Sequence, residues 1–415
     1  MARQLRIAFI VNEFPCISET FILNQITGLL ALGHDVRIFA YRASQSPKQH
    51  AAIAKWELLK RTKYFASIPE GRVARLIKFL TVVARQILRR PSWILRCLSF
   101  KALGFYESLN RLFLLESLMD KPFDVIHCQF GILGKSWVYL KDMMKVTLVT
   151  SFRGYDLEKY VRANHPNVYS ELFERGDMFL PVCDYFAKKL RDLGCPPEKI
   201  RVHYSGVDTA QFAFYPRQID GKEIRIFSVA RLVEKKGLEY SIRAAAKLVP
   251  RYPAIKYTIA GDGPLRSRLE ALIRELGMEN HIHLTGPLLS DEVKELMNQA
   301  NIFILASVTA QDGDQEGIPL SLREAMAVGL PVISTRHSGI PELIEDGKTG
   351  CLVPEKDIDG LVRACEYLIS NPPKYAEMGR AARKFVEENL GIAKLNHRLE
   401  ELYLSSLCDF AGERK

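Results

Sequence analysis

Asp312-Gly313-Asp314-Gln315-Glu316-Gly317-Ile318-Pro319-Leu320-Ser321-Leu322-Arg323-Glu324-Ala325-Met326 is the stretch on which the reading of this chain turns. A polar, glycine-bearing loop runs into a segment whose apolar residues Leu322, Ala325 and Met326 recur at helical spacing. Pro319 suits the first turn of such a helix and Gly329 its end. A helix N-terminus offers unpaired N–H groups and a partial positive charge, which suit a phosphate. Glu316 and Glu324 cannot bind that anion, but beside it they can accept hydrogen bonds from hydroxyl groups. A helical rise of about 1.5 Å per residue keeps the two acids within ~12 Å of each other.

Ribose hydroxyls, a diphosphate and sugar hydroxyls follow one another in a nucleotide sugar, and that order fits the loop. The acid pair alone fits an ordinary first-turn acid and a surface acid equally well. The flanking residues decide. Glu316-x7-Glu324 continues through Ala325-Met326-Ala327 into Gly329-Leu330-Pro331-Val332-Ile333-Ser334-Thr335. Gly339-Ile340-Pro341-Glu342-Leu343-Ile344-Glu345-Asp346-Gly347 and Gly350-Cys351-Leu352-Val353-Pro354 follow. Together these runs resemble the signature of the retaining glycosyltransferases of family 4. The resemblance implies the GT-B fold, an α/β architecture of two doubly wound Rossmann-like domains facing a central cleft. It also implies that Glu324 holds the ribose and Glu316 the donor sugar hydroxyls, with Gly317, Ile318, Pro319 and Leu320 on the donor between them.

The chain has 415 residues, enough for two full cores, and 47% hydrophobic with 26% charged residues is ordinary globular composition. Eight cysteines are scattered without a Cys-x-x-Cys pair, which reads as reduced structural thiols and implies no metal site. The chain opens on a strand-like run with no secretory signal, so a cytoplasmic protein is expected. The net charge of +10 is concentrated between 71 and 106, which has no Asp or Glu but holds Arg72, Arg75, Lys78, Arg85, Arg89, Arg90, Arg96 and Lys101. The remainder is close to neutral, which argues against a nucleic-acid binder with a basic face over the whole molecule.

Leu5 to Val11 and Val36 to Ala40 are apolar runs of buried-strand type. Between them Phe21, Ile22, Gln25, Ile26, Leu29 and Leu30 keep helical spacing behind Pro15 and Ser18-Glu19-Thr20, where Ser18 is a candidate cap. Strand, loop, helix opens a doubly wound domain, and ligands gather beyond the carboxyl ends of its strands. Phe14-Pro15 with Ser18-Glu19-Thr20-Phe21 resembles the capsule, colanic acid and exopolysaccharide branch of the family, which places Ser18, Glu19 and Thr20 on the acceptor side. Between 71 and 106 the cations alternate with Leu76, Ile77, Phe79, Leu80, Val82 and Val83, too interrupted to span a bilayer. Two readings stay open there: an amphipathic segment over 72–101 docking on an anionic membrane surface, or core helices with solvated basic faces.

Phe123 to Gly131 reads as a strand entering a helix, and Thr147 to Phe152 as the next strand, delivering Arg153-Gly154-Tyr155-Asp156 at its end. Many relatives carry a His where this chain has Arg153 and another where it has Gln129; His127 is retained on the acceptor side. A guanidinium stays protonated and cannot take the acceptor's proton, so a catalytic part for Arg153 with Asp156 is binding an anion or pairing across the cleft wall. Met178 to Val182 and Ile200 to Tyr204 read as the last strands of this half.

The pattern restarts at Ile224 to Val229, followed by Arg231, Lys236-Gly237 and a helix from Leu238 to Leu248. Arg231-x4-Lys236-Gly237 matches the family pattern that grips the donor diphosphate, whose departing charge needs neutralising. Gly261-Asp262-Gly263-Pro264 follows a strand but has Arg266 at the third glycine position, so it reads as a tight turn and not a dinucleotide fingerprint. Gly286 and Leu288 stand where relatives meet the base. Asp312-Gly313-Asp314 reads as turn chemistry, not a metal site.

The expectation is an acceptor-binding domain over 1–208, joined by a returning helix at 392–415, and a nucleotide-sugar-binding domain over 222–391. It would transfer a sugar, with retention and without metal or other cofactor, from a nucleotide diphosphate sugar to a lipid-linked saccharide. The branch resemblance implies exopolysaccharide or lipopolysaccharide assembly at the inner face of the plasma membrane. A GT-B phosphorylase, a nucleotide-sugar epimerase and a catalytically silent membrane-bound partner protein remain as alternatives.

Overall fold

Arg6–Phe14 (β1), Asp35–Ala43 (β2), Thr62–Tyr64 (β3), Val125–Cys128 (β4), Thr147–Phe152 (β5) and Met178–Pro181 (β6) form one parallel sheet. Its order is β3-β2-β1-β4-β5-β6. Ile224–Val229 (β7), Ile255–Ala260 (β8), Ile282–Gly286 (β9), Ile302–Leu305 (β10), Val332–Thr335 (β11) and Cys351–Val353 (β12) form a second, ordered β12-β11-β10-β7-β8-β9. This is a computed structural model, and it describes residues 3–16, 19–44, 50–65, 71–86, 118, 122–219 and 223–412.

The two sheets have the same topology. In each, the strand order reverses beside the first strand, between β1 and β4 and between β7 and β10. Such switch points open a crevice beyond the carboxyl ends of the strands. β4, β5, β6, β10 and β11 are buried along their whole length because helices cover both faces, which is why they read as unbroken apolar runs. β3, only three residues long and mostly exposed, ends the first sheet and carries no such run.

Three expectations are corrected. Ile200 to Tyr204 is not a strand: Arg201 and His203 donate backbone N–H groups to Phe179 and Pro181 at 2.9 and 3.0 Å, but only one bridge forms before the chain leaves towards the second sheet. The first long helix begins at Thr20, and Glu19 holds its N-cap position without a side-chain cap; Ser18 lies outside the described residues. Pro319 stands at the N-cap of the Leu320–Ala327 helix, where its extended ψ of 132° keeps it out of the first turn.

The Ile392–Gly412 helix runs back over the first sheet. There Asn396 donates to the Asn24 carbonyl at 3.3 Å, His34 and Glu400 meet at 3.0 Å, and the Tyr403 hydroxyl lies 2.7 Å from His127 Nδ1.

The Arg72–Gln86 helix rests on the core through Val82, Phe79 and Val83. Val73, Leu76, Ile77 and Leu80 turn outward at 72%, 54%, 60% and 56% exposure, so its free face is apolar, not a solvated basic one. The remainder of the basic stretch, residues 87–106, lies outside the described residues.

Candidate active site

The loop after β10 and the loop after β7 come from strands paired side by side, so the topology itself brings Glu316 to Lys236. They form an ion pair whose side chains are only 14% and 18% exposed. Burial alone would push the Glu316 carboxyl up; Lys236 and Lys235 outweigh it and hold it down at about 2. Glu316 is therefore a fixed negative charge at any working pH.

The loop around it is tied down from several sides. Lys235 reaches Asp314 at 3.0 Å, and Asp312 accepts from the Asp314 N–H at 3.0 Å while pairing with Lys159 of the first half at 2.8 Å. Gly313, at φ +80°, makes that turn possible. The two aspartates are thus occupied by lysines and by the turn itself.

His337 supports Glu316 from below. Its Nε2 accepts from the Glu316 N–H at 3.0 Å, which places the proton on Nδ1, and Nδ1 donates to Glu355 at 2.6 Å. Glu355 also accepts from the Thr309 N–H at 2.9 Å, so one carboxylate braces both ends of the loop. Sequence reasoning missed this set, because nothing in the spacing of 309, 337 and 355 links three residues that only the sheet brings together.

Glu324 lies half-buried in the Leu320–Ala327 helix, and burial pushes its carboxyl up to about 7. A hydroxyl donor beside it would favour the ionised form. Gly317, Ile318 and Pro319 are buried and Leu320 half-buried. A side chain at 317 would meet Phe186 of the first half at 3.0 Å. Arg231 is exposed on the loop after β7 and forms no ion pair among the described residues. Gly286 ends β9 at φ +84°, and Leu288 beyond it is half-buried.

Across the crevice the first half behaves differently. Asp156 is fully buried: its Oδ2 accepts from the Arg153 N–H at 3.0 Å, its Oδ1 has no hydrogen-bond partner, and the Gly131 and Ile132 backbone favours its charge against burial, which pushes the carboxyl up to about 7. It braces the loop after β5 and does not reach solvent, a positioning part instead of the catalytic one expected. No side-chain pair joins it to Arg153 among the described residues; the bond is to the Arg153 backbone. His127 is 0% exposed, held between Ser151 Oγ at 2.8 Å and Tyr403, and burial keeps it neutral. It is enclosed within the first half and does not face the crevice. Gln129, also buried, donates to Gln25 at 2.9 Å. Arg153 lies over the Phe21 ring at 3.5 Å, with half-buried Glu19 and Thr20 at the start of the same helix.

The halves are latched. Glu342 accepts from the N–H groups of Asp184 and Tyr185 at 2.7 and 2.8 Å, the first turn of the Asp184–Asp192 helix, and from the Tyr204 hydroxyl at 3.0 Å. The Tyr185 hydroxyl donates to Gln315 at 3.0 Å, and Arg323 donates to the carbonyls of Ser205 and Ile318. Glu342 belonged to the quoted motif without a stated role; a carboxylate at a helix N-terminus supplies one.

Comparison with known proteins places this architecture. Residues 18–211 match the model of Glycosyltransferase Family 4, and residues 211–385 that of Glycosyl transferases group 1. The chain is 37% identical over 409 residues to the putative colanic acid biosynthesis glycosyltransferase WcaL of Salmonella typhimurium, covering 96% of this chain and 99% of that one. It is 34% identical over 411 residues to the amylovoran biosynthesis glycosyltransferase AmsK of Erwinia amylovora, covering 96% and 100%. The crystal structure of HepE from Anabaena, in complex with UDP and glucose, superimposes with a TM-score of 0.71 at 16% identity, covering 97% of this chain and all of that one. With both halves matched and whole-length relatives above 30% identity, the chain belongs to glycosyltransferase family 4 and is a glycosyltransferase of the GT-B fold.

Proposed function

We propose that this enzyme transfers a sugar, with retention of configuration and without a metal, from a nucleotide diphosphate sugar to a hydroxyl of a lipid-linked saccharide in exopolysaccharide assembly. The observation that carries the reading is the Lys236–Glu316 pair at the approach to the Leu320–Ala327 helix, with Glu324 on that helix. A diphosphate over the helix N-terminus takes Lys236 and Arg231 as counter-charges, the donor sugar hydroxyls bond Glu316, and the ribose bonds Glu324. The acceptor oxygen then bonds the anomeric carbon on the face from which the diphosphate leaves. The departing phosphate takes both the electron pair of the broken C–O bond and the acceptor's proton, so no histidine is required at position 153.

The setting is supported by the relatives named for colanic acid and amylovoran biosynthesis, and a UDP-type donor by the UDP and glucose bound to HepE. A thermal-shift screen of UDP- and GDP-sugars tests the donor. One class is expected to raise the melting temperature by several degrees and, with a saccharide acceptor, to give a product whose anomeric configuration by NMR equals the donor's, with or without EDTA. Inversion, or dependence on a divalent ion, would sink the mechanism. Sugar release driven by inorganic phosphate, or isomerisation with no acceptor, would make the enzyme a phosphorylase or an epimerase.

We also assign the outward apolar face of the Arg72–Gln86 helix, a segment whose sequence holds no acid, to an anionic membrane surface at the inner face of the plasma membrane. Among the described residues no helix is long and apolar enough to cross a membrane. The affinity for phosphatidylglycerol-containing vesicles at low salt, read by sedimentation, should fall about 100-fold or more in a Leu76→Ser, Leu80→Ser variant, since each buried apolar side chain contributes ~1.5–3 kcal/mol. Unchanged sedimentation would remove this face from the picture.

A further inference from the structure

The guanidinium of Arg153 is short of hydrogen-bond partners. Nη1 reaches Ser205 Oγ only at 3.5 Å, and Nε is buried with no hydrogen-bond partner. Arg323 approaches the same residue from the second half, donating to the Ser205 carbonyl, and its Nε is also without a partner. Two cations from opposite sides of the crevice therefore converge on Ser205. The acids nearby act on Arg153 through charge but form no side-chain bond with it: Asp156 Oδ2 accepts from the Arg153 backbone N–H, and no ion pair joins Glu19 to Arg153 among the described residues. Glu19 Oε2 and Thr20 Oγ1, at the uncapped N-terminus of the Thr20–Ala31 helix, are buried atoms that also have no partner. Burial pushes the Glu19 carboxyl up to about 7 and the Arg153 guanidinium down to about 9, and the attraction between the two charges offsets only part of that cost.

We propose that Arg153, with Ser205 and Thr20 beside it, is a subsite for the carboxylate of an acidic sugar, a uronic-acid unit carried by either the donor or the acceptor. A planar fork lying on an aromatic face is suited to a planar carboxylate, which it can grip with two parallel bonds. The diphosphate is not the candidate anion, because the proposed function already places it on Lys236 and Arg231 across the crevice. Glu19, beside the bound carboxylate, donates a hydrogen bond when protonated or accepts one from a neighbouring sugar hydroxyl when ionised. This inference rests on the nucleotide-sugar reading and narrows it to acidic saccharides.

Calorimetry on the full-length protein tests it with two matched pairs: UDP-glucuronate against UDP-glucose, and, in the presence of UDP, p-nitrophenyl glucuronide against p-nitrophenyl glucoside. The acidic member of one pair should bind about 10-fold tighter or better. The pair that shows it tells donor from acceptor. That preference should collapse to about one in Arg153→Gln and survive in part in Arg153→Lys, with thermal melting confirming that both variants fold. Binding of UDP with no acidic preference in either pair sinks the subsite alone, whereas no binding of any nucleotide overturns the function beneath it. Loss of UDP affinity in Arg153→Gln as large as the loss of acid preference would make Arg153 a phosphate ligand and end the proposal.

Discussion

Glu316→Gln is expected to lower kcat by about 10²–10³-fold, the cost of removing one well-placed electrostatic group from an active site. The substitution keeps shape and hydrogen-bonding capacity but removes the negative charge that Lys236 faces and that the sugar hydroxyls would meet. The charge is present at every working pH, because Lys236 and Lys235 hold the carboxyl down at about 2 against its burial. Glu316 thus contributes stability above the usual carboxylate range, and that stability is lost only as pH falls through about 2. An acid limb near 7 in the activity of the wild type would then come from Glu324 or Glu19, both raised to about 7, and not from Glu316. Steady-state kinetics with the donor found in the screen, alongside UDP calorimetry, separates turnover from binding. Turnover within threefold of wild type would remove Glu316 from the chemistry.

Gly237→Ala should be the most damaging small substitution in the chain, destabilising it by ~3 kcal/mol or more and weakening UDP binding at least about tenfold. Gly237 adopts φ +61° between Lys236 and the Leu238–Leu248 helix, a conformation that costs other residues about 1 kcal/mol. Worse, an added Cβ would lie 1.7 Å from the Ala306 carbonyl oxygen, at the root of the loop that carries Glu316. Backbone must move on one side or the other, and either movement separates Lys236 from Glu316. Gly277 is the control: it has φ +67° but nothing within 4 Å of an added Cβ, so Gly277→Ala should cost only the conformational term. Melting curves and UDP titrations of the two variants decide it. Equal losses would mean that the Ala306 contact is immaterial.

The first half shows where reading from residues stops. The helix behind Glu19 was legible because Ile22, Gln25, Ile26, Leu29 and Leu30 keep a helical period, and all five are buried. His127 was legible as a polar residue in a strand but not as a buried one, since its closure depends on Tyr403, 276 residues later, folding back over it. Asp156 likewise looked available beside Arg153, until the fold buried it against the Gly131–Trp137 helix that follows the neighbouring strand β4. Ile200 to Tyr204 had a strand's composition, but strand pairing is a property of two segments, and against β6 it forms a single bridge, Phe179 to Ile200.

Local sequence was sufficient for the two doubly wound halves, the Leu320–Ala327 helix with Glu316 and Glu324 at either side of its start, and the cations of the Lys236 loop. Those features are set by periodicity, turn residues and motif order, all of which act over a few residues at a time. Only the folded chain decided that Lys236 neutralises Glu316, that Glu355 and His337 hold the loop, that Glu342 caps a helix of the opposite half, and that Arg153 Nε is buried without a hydrogen-bond partner. Each of these depends on which strands lie side by side and on what burial does to a charge, and both are settled by contacts between distant segments.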